Sequence, residues 1–313
     1  MAITYKGGNR LVSTGVGWYI DNTNYDSKKM SVATQTTYEV GNGFSSDGTK
    51  FYQAGDSSSN RYIWQYTLST AWDISTGSYA SKNFNFTTQE SDMRGFKFKT
   101  DGTKVYIVGA GNNTVFQYSL STAWDISTAS YENKSFSHAT QGTNGLDVDF
   151  SSDGTKMYVA SNSQNKVFQY TLSTAWDVST ASYASKEFAA TGVTGGYVYG
   201  AKLSSDGTKI YVLNNGAKMA QYTLTTAWDI STATYTSFHD FGNQNPSINN
   251  PYFSFKSDDG LKIYVSGNDR VYQYTTPYPE YPTADGTNEN GSTIIDTWSG
   301  KEYILNYGAW IEK

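Results

Sequence analysis

At 313 residues the chain is long enough for one large all-β domain, and its 27 Tyr, 29 Gly and only 16% charged residues are the usage of a β-rich protein with many tight turns, not of a helical bundle or a disordered tail. A formal charge of -5 without a basic cluster argues against nucleic acid or an anionic membrane as partner. There is no Cys, which excludes disulfides, thiolate metal sites and cysteine nucleophiles, and with His138 and His239 alone a multi-histidine metal site would need carboxylates or a second chain to complete it.

Residues 1–14 read as an N-terminal extension. They lack the apolar core of a signal peptide, and no later stretch approaches the roughly 18 apolar residues of a membrane span. The expectation is a protein without membrane insertion that is virion-borne or extracellular, reaching the outside by a route other than a cleaved signal.

Residues 15–276 repeat. The phrase Ala71-Trp72-Asp73-Ile74-Ser75-Thr76 returns at Trp124, Trp176 and Trp228, each 52 residues after the last, and each Trp is followed seven residues later by Tyr79, Tyr131, Tyr183 or Tyr235. A degenerate copy at Trp18 keeps the same offset to Tyr25. A second phrase, Ser-Asp-Gly-Thr-Lys or a near variant, has its Asp at 47, 101, 153, 206 and 258. Two landmarks thus agree on five units of about 53 residues.

Each unit reads as four short strands. In the third, Leu146 to Phe150 alternates, Asp153-Gly154-Thr155 turns, Lys156 to Ala160 alternates, Lys166 to Leu172 is the third strand, Ser173 to Thr180 a connection and Lys186 to Ala190 the fourth. Four antiparallel strands at this period predict a β-propeller blade. The Asp-Gly pair predicts a hairpin, because Gly supplies the positive φ such turns need. In the connection the Trp is expected to pack between blades, with Asp and Ser or Thr holding backbone amides.

The last unit lacks its fourth strand after Tyr274, where Thr276-Pro277-Tyr278-Pro279 follows, while an unpartnered strand, Lys29 to Ala33, precedes the first unit. Lending that strand to the last unit gives an all-β, five-bladed propeller of four-stranded antiparallel blades with no open edge. A sixth blade from residues 280–313 is the alternative; that segment carries neither landmark. Residues 277–313 instead read as a Pro-rich linker and a small C-terminal β-hairpin, Ser292 to Asp296, Lys301 to Asn306 and Ala309 to Glu312, with Trp298, Tyr303 and Trp310 as candidate attachment anchors.

The units, quoted as Ser151-Ser152-Asp153-Gly154-Thr155-Lys156-Met157-Tyr158-Val159 and Phe168-Gln169-Tyr170-Thr171-Leu172-Ser173-Thr174-Ala175-Trp176-Asp177, resemble the YVTN/WD40-like propeller repeats of marine and other environmental bacterial proteins and of phage virion proteins. The resemblance implies the propeller fold and says little of function, since such propellers include lactonases, lectins and scaffolds. Ile3 to Arg10 and Asp296 to Ile311 resemble flanking pieces of phage tail and other virion structural proteins, which implies a virion subunit.

If the blades are standard, the Asp-Gly turns and Trp-Asp connections share one face and are nearly identical from unit to unit. The opposite face varies. Its candidate ligand-binding residues are Asn60, Arg61, Gln89, Asp92, Arg94, Asn112, Asn113, Gln141, Asn144, Asn162, Gln164, Tyr197, Tyr199, Asn214, Asn215, Asn249, Tyr252, Asn268 and Arg270. Amides with adjacent Tyr and Arg suit neutral, hydroxyl-rich ligands, since amides pair donors with acceptors and aromatic faces cover sugar C–H surfaces; equally, Asn and Gly occupy turns for backbone reasons. Down the axis, equivalent positions carry Gly43, Lys97, Asp149, Lys202 and Ser254, so Asp149 is expected between two ammonium groups as an ion-paired plug, with Asp147 nearer one mouth.

No base stands beside a nucleophile, and lactonase-type chemistry would want several carboxylates or His around a metal where only Asp147 and Asp149 qualify. The expectation is therefore a protein that is not an enzyme and needs no cofactor or metal: a tail-fibre, receptor-binding or decoration subunit of a virion. Its expected partners are other virion proteins or its own copies through the C-terminal hairpin, and a host-surface glycan or protein. The competing readings are a lectin-like or surface scaffold protein of a marine microbe and a lactonase-like hydrolase.

Overall fold

The computed structural model describes residues 4–6, 20, 23–57, 60–190, 196–242, 248, 251–255, 262–276, 293–295, 302–306 and 309–312, with the side chains of 4–6, 56–57, 60, 253–255 and all positions beyond 276 left out. Five four-stranded antiparallel sheets form a five-bladed propeller. Blade 1 is Glu39–Phe44, Lys50–Ser57, Asn60–Leu68 and Gly77–Asn85; blade 2 is Met93–Phe98, Lys104–Gly109, Thr114–Leu120 and Ala129–Ser137. Blade 3 is Gly145–Phe150, Lys156–Ser161, Lys166–Leu172 and Ala181–Ala189; blade 4 is Val198–Leu203, Lys209–Asn214, Lys218–Leu224 and Ala233–Asp240. Blade 5 takes Tyr252–Phe255, Lys262–Gly267 and Arg270–Thr275 from the end of the repeat region and Asn24–Ser31 from its beginning, which pairs antiparallel with Arg270–Thr275.

The closing strand starts earlier than the alternation predicts, at Asn24 and not Lys29. The reason recurs in blades 1 to 3. Each outer strand carries a bulge, with Ser27, Ser81, Asn133 and Ser185 at φ between 55° and 59°, so the pairing skips between Tyr25 and Lys28 and the period-two pattern breaks there. The alternation is legible only past the bulge.

The Trp-Asp phrase is an interblade fastening. Trp72, Trp124, Trp176 and Trp228 all sit at φ between 62° and 64°, a left-handed backbone that side-chain-bearing residues rarely adopt. Each donates its N–H to the turn glycine of its own blade, Gly48, Gly102, Gly154 or Gly207, and lays its indole on that glycine so closely that a Cβ there would lie 2.2 to 2.3 Å from the ring. The turn thus needs Gly twice, for its own φ near +70° and for the room. The preceding blade reaches across to the Trp carbonyl through a tyrosine hydroxyl: Tyr52 to Trp124 at 2.6 Å, Tyr106 to Trp176 at 2.8 Å, Tyr158 to Trp228 at 2.8 Å, and, closing the ring, Tyr264 to Trp72 at 2.7 Å.

The next residue, Asp, caps a short 3-10 turn by accepting from the backbone N–H and hydroxyl of the Ser two residues on, as Asp73 does from Ser75. Its other oxygen pairs with a lysine of the preceding blade, in Lys28–Asp73, Lys82–Asp125, Lys134–Asp177 and Lys186–Asp229 at 2.5 to 2.6 Å. A buried glutamine of the preceding blade accepts from the following Ile or Val amide, Gln65 from Ile126, Gln117 from Val178, Gln169 from Ile230 and Gln273 from Ile74. Repetition of the phrase is therefore repetition of one interface, which accounts for its uniformity without any ligand.

The C-terminal hairpin, Glu302–Asn306 with Ala309–Glu312, is present, and it belongs to a larger unit than the sequence pattern suggests. Thr293–Ile295, within the expected Ser292 to Asp296 segment, pairs with Glu302–Asn306, and Thr4–Lys6 from the N-terminal extension, which the sequence pattern does not place there, pairs with Thr293–Ile295, giving a sixth four-stranded sheet built from both ends of the chain. Among the described residues no helix is long and apolar enough to cross a membrane.

Candidate functional site

The first strands line the central axis, and in blades 1, 2 and 4 a bulge at the start of the strand is followed by a glycine. Gly41, Gly95 and Gly200 stand at the level where blade 3 has Asp147, and a Cβ on Gly95 would meet Asp147 Cα at 2.8 Å. That gap admits the Asp147 carboxylate. Lys202 reaches it and donates to Oδ1 at 2.6 Å, so the expected arrangement of Asp149 between two ammonium groups resolves into two ion pairs, Lys202–Asp147 and Lys97–Asp149, the latter at 2.7 Å. Backbone amides complete both carboxylates: Ala201 and Val148 donate to Asp147, Leu203 and Phe150 to Asp149.

The two aspartates, both buried, are driven apart in pKa. Burial raises both; for Asp147 it prevails over Lys202 and the pKa lies above the ordinary carboxylate value, whereas for Asp149 the Lys97 and Lys202 ammonium groups overcome burial and hold it below. The pairs close the axis between two compartments.

On the variable face the axis is capped by a cluster from four blades. Arg94 forms an ion pair with Asp92 at 2.5 Å, donates to the Tyr38 hydroxyl at 3.1 Å and lies 5.8 Å from that ring's centre. Tyr199 stacks on Tyr252, with ring centres 5.8 Å apart. Burial alone would lower the Arg94 guanidinium's pKa; the Tyr252 and Tyr38 hydroxyls and the Asp92 carboxylate together raise it, so the charge is held firmly at the mouth. Tyr38 and Tyr197 are 44% and 54% exposed, offering aromatic surface beside it. Of the residues singled out in the sequence, Asp92, Arg94, Tyr199 and Tyr252 converge here. Tyr38 was missed, because it lies in the connection into blade 1 where no repeat landmark marks it.

Most of the remaining candidates are occupied in holding their own turn or in tying one loop to the next. Asn214 Oδ1 accepts from Gly216 and Lys218, Asn215 Oδ1 from the Tyr197 amide, and Asn113 Oδ1 from the Asn144 amide. Asn112 donates to the Gln89 carbonyl, and the Gln89 side chain accepts from Tyr118. Asn113, Asn144 and Asn268 hold positive φ. Arg61, Gln141 and Asn162 are half-buried at loop ends, and Gln164 and Arg270 face solvent. Asn249 and the side chain of Asn60 lie outside what is described. The fully buried Glu90, unmarked by any motif, organises the blade 2 loop by accepting from Asp92, Gly111 and Asn112 amides.

The other compartment opens on the repeated face as a cavity of about 380 Å³. Lys97, Asp149 and Lys202 form its floor, Phe44, Phe98 and Phe150 its wall, and indoles of three blades stand further out. Among the described residues no three His, Asp or Glu side chains gather as a metal-binding group. His138 is buried with Nδ1 on the Gly142 carbonyl at 2.8 Å, and burial lowers its pKa.

No family model matches the chain, and no curated protein is similar to it. Among solved structures, a protein of unknown function from Desulfotomaculum acetoxidans is 14% identical, with a TM-score of 0.47 over 87% of this chain and 71% of that one. One assigned provisionally as a 6-phosphogluconolactonase from Bacteroides uniformis is 12% identical, with a TM-score of 0.45 over 87% and 70%. These distant likenesses accompany a fold that the chain's own strand pairing defines: a five-bladed β-propeller.

Proposed function

We infer that the protein is a non-enzymatic recognition protein that presents the tyrosine–arginine mouth to a hydroxyl-rich ligand such as a host-surface glycan, and that it does so as a tail-fibre, receptor-binding or decoration subunit of a virion. The observation that carries the binding role is the convergence of Tyr38, Asp92, Arg94, Tyr199 and Tyr252 from blades 1, 2, 4 and 5 at the mouth of an axis closed by ion pairs beneath it. None of these side chains is needed to pair a strand. Exposed tyrosine surface at Tyr38 and Tyr197 beside a fixed guanidinium suits sugar rings, whose C–H faces stack on tyrosine and whose hydroxyls accept from arginine. The virion setting is supported by the resemblance of the two flanks to virion structural proteins.

Glycan-array binding by the full chain tests the first part. Tyr38→Ala and Tyr199→Ala should each weaken the bound glycan about ten-fold, the effect of removing an aromatic anchor. Binding to no glycan, or binding indifferent to both substitutions, would remove the proposal. Mass spectrometry of purified particles tests the second: a virion subunit is recovered in fixed ratio to capsid or tail proteins, and a protein absent from particles is not one.

A further inference from the structure

The cavity on the repeated face has a construction that interblade fastening does not require. Its wall carries one apolar side chain from each of blades 1 to 4 at the same level, Phe44, Phe98, Phe150 and Leu203, and each Phe packs on an indole of its own blade with ring centres 5.2 to 5.3 Å apart. Trp124, Trp176 and Trp228 line it further out, and the rim carries the exposed hydroxyls of Thr100 and Ser152. At about 380 Å³ it lies in the size range of small-molecule sites.

The floor decides the chemistry. Asp149 is 2% exposed, and its oxygens are already engaged by Lys97, by the Phe150 amide and by the Leu203 amide. Lys97, its partner, keeps 37% of its side chain exposed, and one of its three N–H groups serves the ion pair. The acceptor is thus buried behind the donor, and a molecule entering the cavity meets an ammonium group with hydrogen-bonding capacity to spare at the end of an apolar sleeve. Lys202 adds a second positive charge to the floor, anchored on Asp147. A neutral apolar molecule would desolvate the exposed ammonium without supplying an acceptor for its spare N–H groups, and a cation would meet that ammonium before the buried carboxylate.

We propose that this cavity is a second binding site, on the face opposite the tyrosine–arginine mouth, for a small organic carboxylate whose body is apolar or rich in C–H surface and whose carboxylate sits on Lys97. The aromatic sleeve covers the body, Lys97 takes the charge, and the Thr100 and Ser152 hydroxyls are placed for polar groups at the open end. The site is independent of what the other face binds.

Cyclohexanecarboxylate is a suitable probe, with cyclohexanecarboxamide as its neutral isostere and cyclohexylammonium as the opposite charge. Tryptophan fluorescence and ligand-observed NMR on the full chain should show saturable binding of the carboxylate about ten-fold tighter than of the amide, with the ammonium ion not bound. Lys97→Met should erase the preference for the carboxylate and Lys97→Arg should keep it. Ser152→Trp, which fills the mouth of the cavity and leaves the ion pairs intact, should abolish binding of the carboxylate while leaving any glycan binding at Tyr38 and Tyr199 unchanged. A carboxylate that binds no better than its amide, or that binds Ser152→Trp as well as the wild type, overturns the assignment, as does the absence of saturable binding to a folded wild type.

Discussion

Replacing Asp26 by Ala tests how the ring is held shut. Asp26 lies on Asn24–Ser31, the strand that joins blade 5 without covalent continuity, and its carboxylate accepts from Lys262 Nζ at 2.7 Å, Gln273 Nε2 at 2.7 Å and Thr275 Oγ1 at 2.6 Å. Asp26 is 12% and Lys262 28% exposed at the side chain, so the substitution leaves a partly buried ammonium with the Thr275 hydroxyl as its remaining acceptor and strips a buried amide of its carboxylate. Each hydrogen bond to a charged group is worth about 1.5 to 3 kcal/mol, but the three share one carboxylate and the lysine retains access to water, so a total of about 3 kcal/mol is expected. For a domain of this size that is a fall in Tm of roughly 5 °C.

Blade 2 supplies an internal control. Glu132 makes a similar clasp with Lys104 and, at 2.6 Å, with Gln117, yet its strand continues directly from the rest of its blade. Glu132→Ala should cost a comparable amount at equilibrium. Asp26→Ala should in addition speed opening, because the closing strand can peel away from Arg270–Thr275 while the other four blades stay joined. Urea-jump unfolding rates and limited proteolysis separate the two: cleavage near residues 24–31 should appear first in Asp26→Ala only. Equal unfolding rates and identical proteolytic patterns in the two variants would refute the closure argument.

Glu39 provides a pH signature, since burial raises its pKa to about 7 despite amide donors at Asp269 and Arg270. The folded state therefore keeps a proton that the unfolded state loses near the usual value of 4.5, and stability should fall as pH rises from about 4.5 to about 7, by roughly 3 kcal/mol. Urea midpoints should show a flatter profile over that window in Glu39→Gln, and an unchanged slope would mean that Glu39 is not the group responsible. Gly154→Ala should cost about 3 kcal/mol, combining a left-handed φ of +71° with a Cβ 2.3 Å from the Trp176 indole. Gly154→Asn eases only the first of these, so a thermal melt in which Asn matches Gly would show that the indole contact is not limiting.

The blades were legible because the interface between them is one phrase used repeatedly. Trp-Asp-Ile-Ser-Thr and Ser-Asp-Gly-Thr-Lys each specify a local turn, and the turns fit only against a copy of themselves. Lys82, Lys134 and Lys186 recur at the same spacing and could have been read as latches to Asp125, Asp177 and Asp229, but the bulge at Ser81, Asn133 and Ser185 turns them toward the next blade, and the two-residue alternation that would have placed them breaks there. The mouth was half legible: Arg94, Asp92, Tyr199 and Tyr252 stood out in the loops, while Tyr38 looked like any tyrosine in a connection. The many loop amides pointed to ligand chemistry by composition, yet Asn214 uses its carbonyl oxygen on its own turn, and Asn215 and Asn113 use theirs to tie neighbouring loops together through the Tyr197 and Asn144 amides.

The repeat by itself determined the number of blades, their four strands and the use of the early strand to complete the last sheet, because each of these follows from contacts within a unit or between adjacent copies. The meeting of residues at the axis was decided only by the tertiary structure. There, positions some 50 residues apart come together where the copies differ, and the Asp147 carboxylate that Lys202 serves stands in the room left by Gly95. The sixth sheet is of the same kind: Thr4–Lys6 and Thr293–Ile295 lie at opposite ends of the chain, and neither segment alone records that the other is its partner.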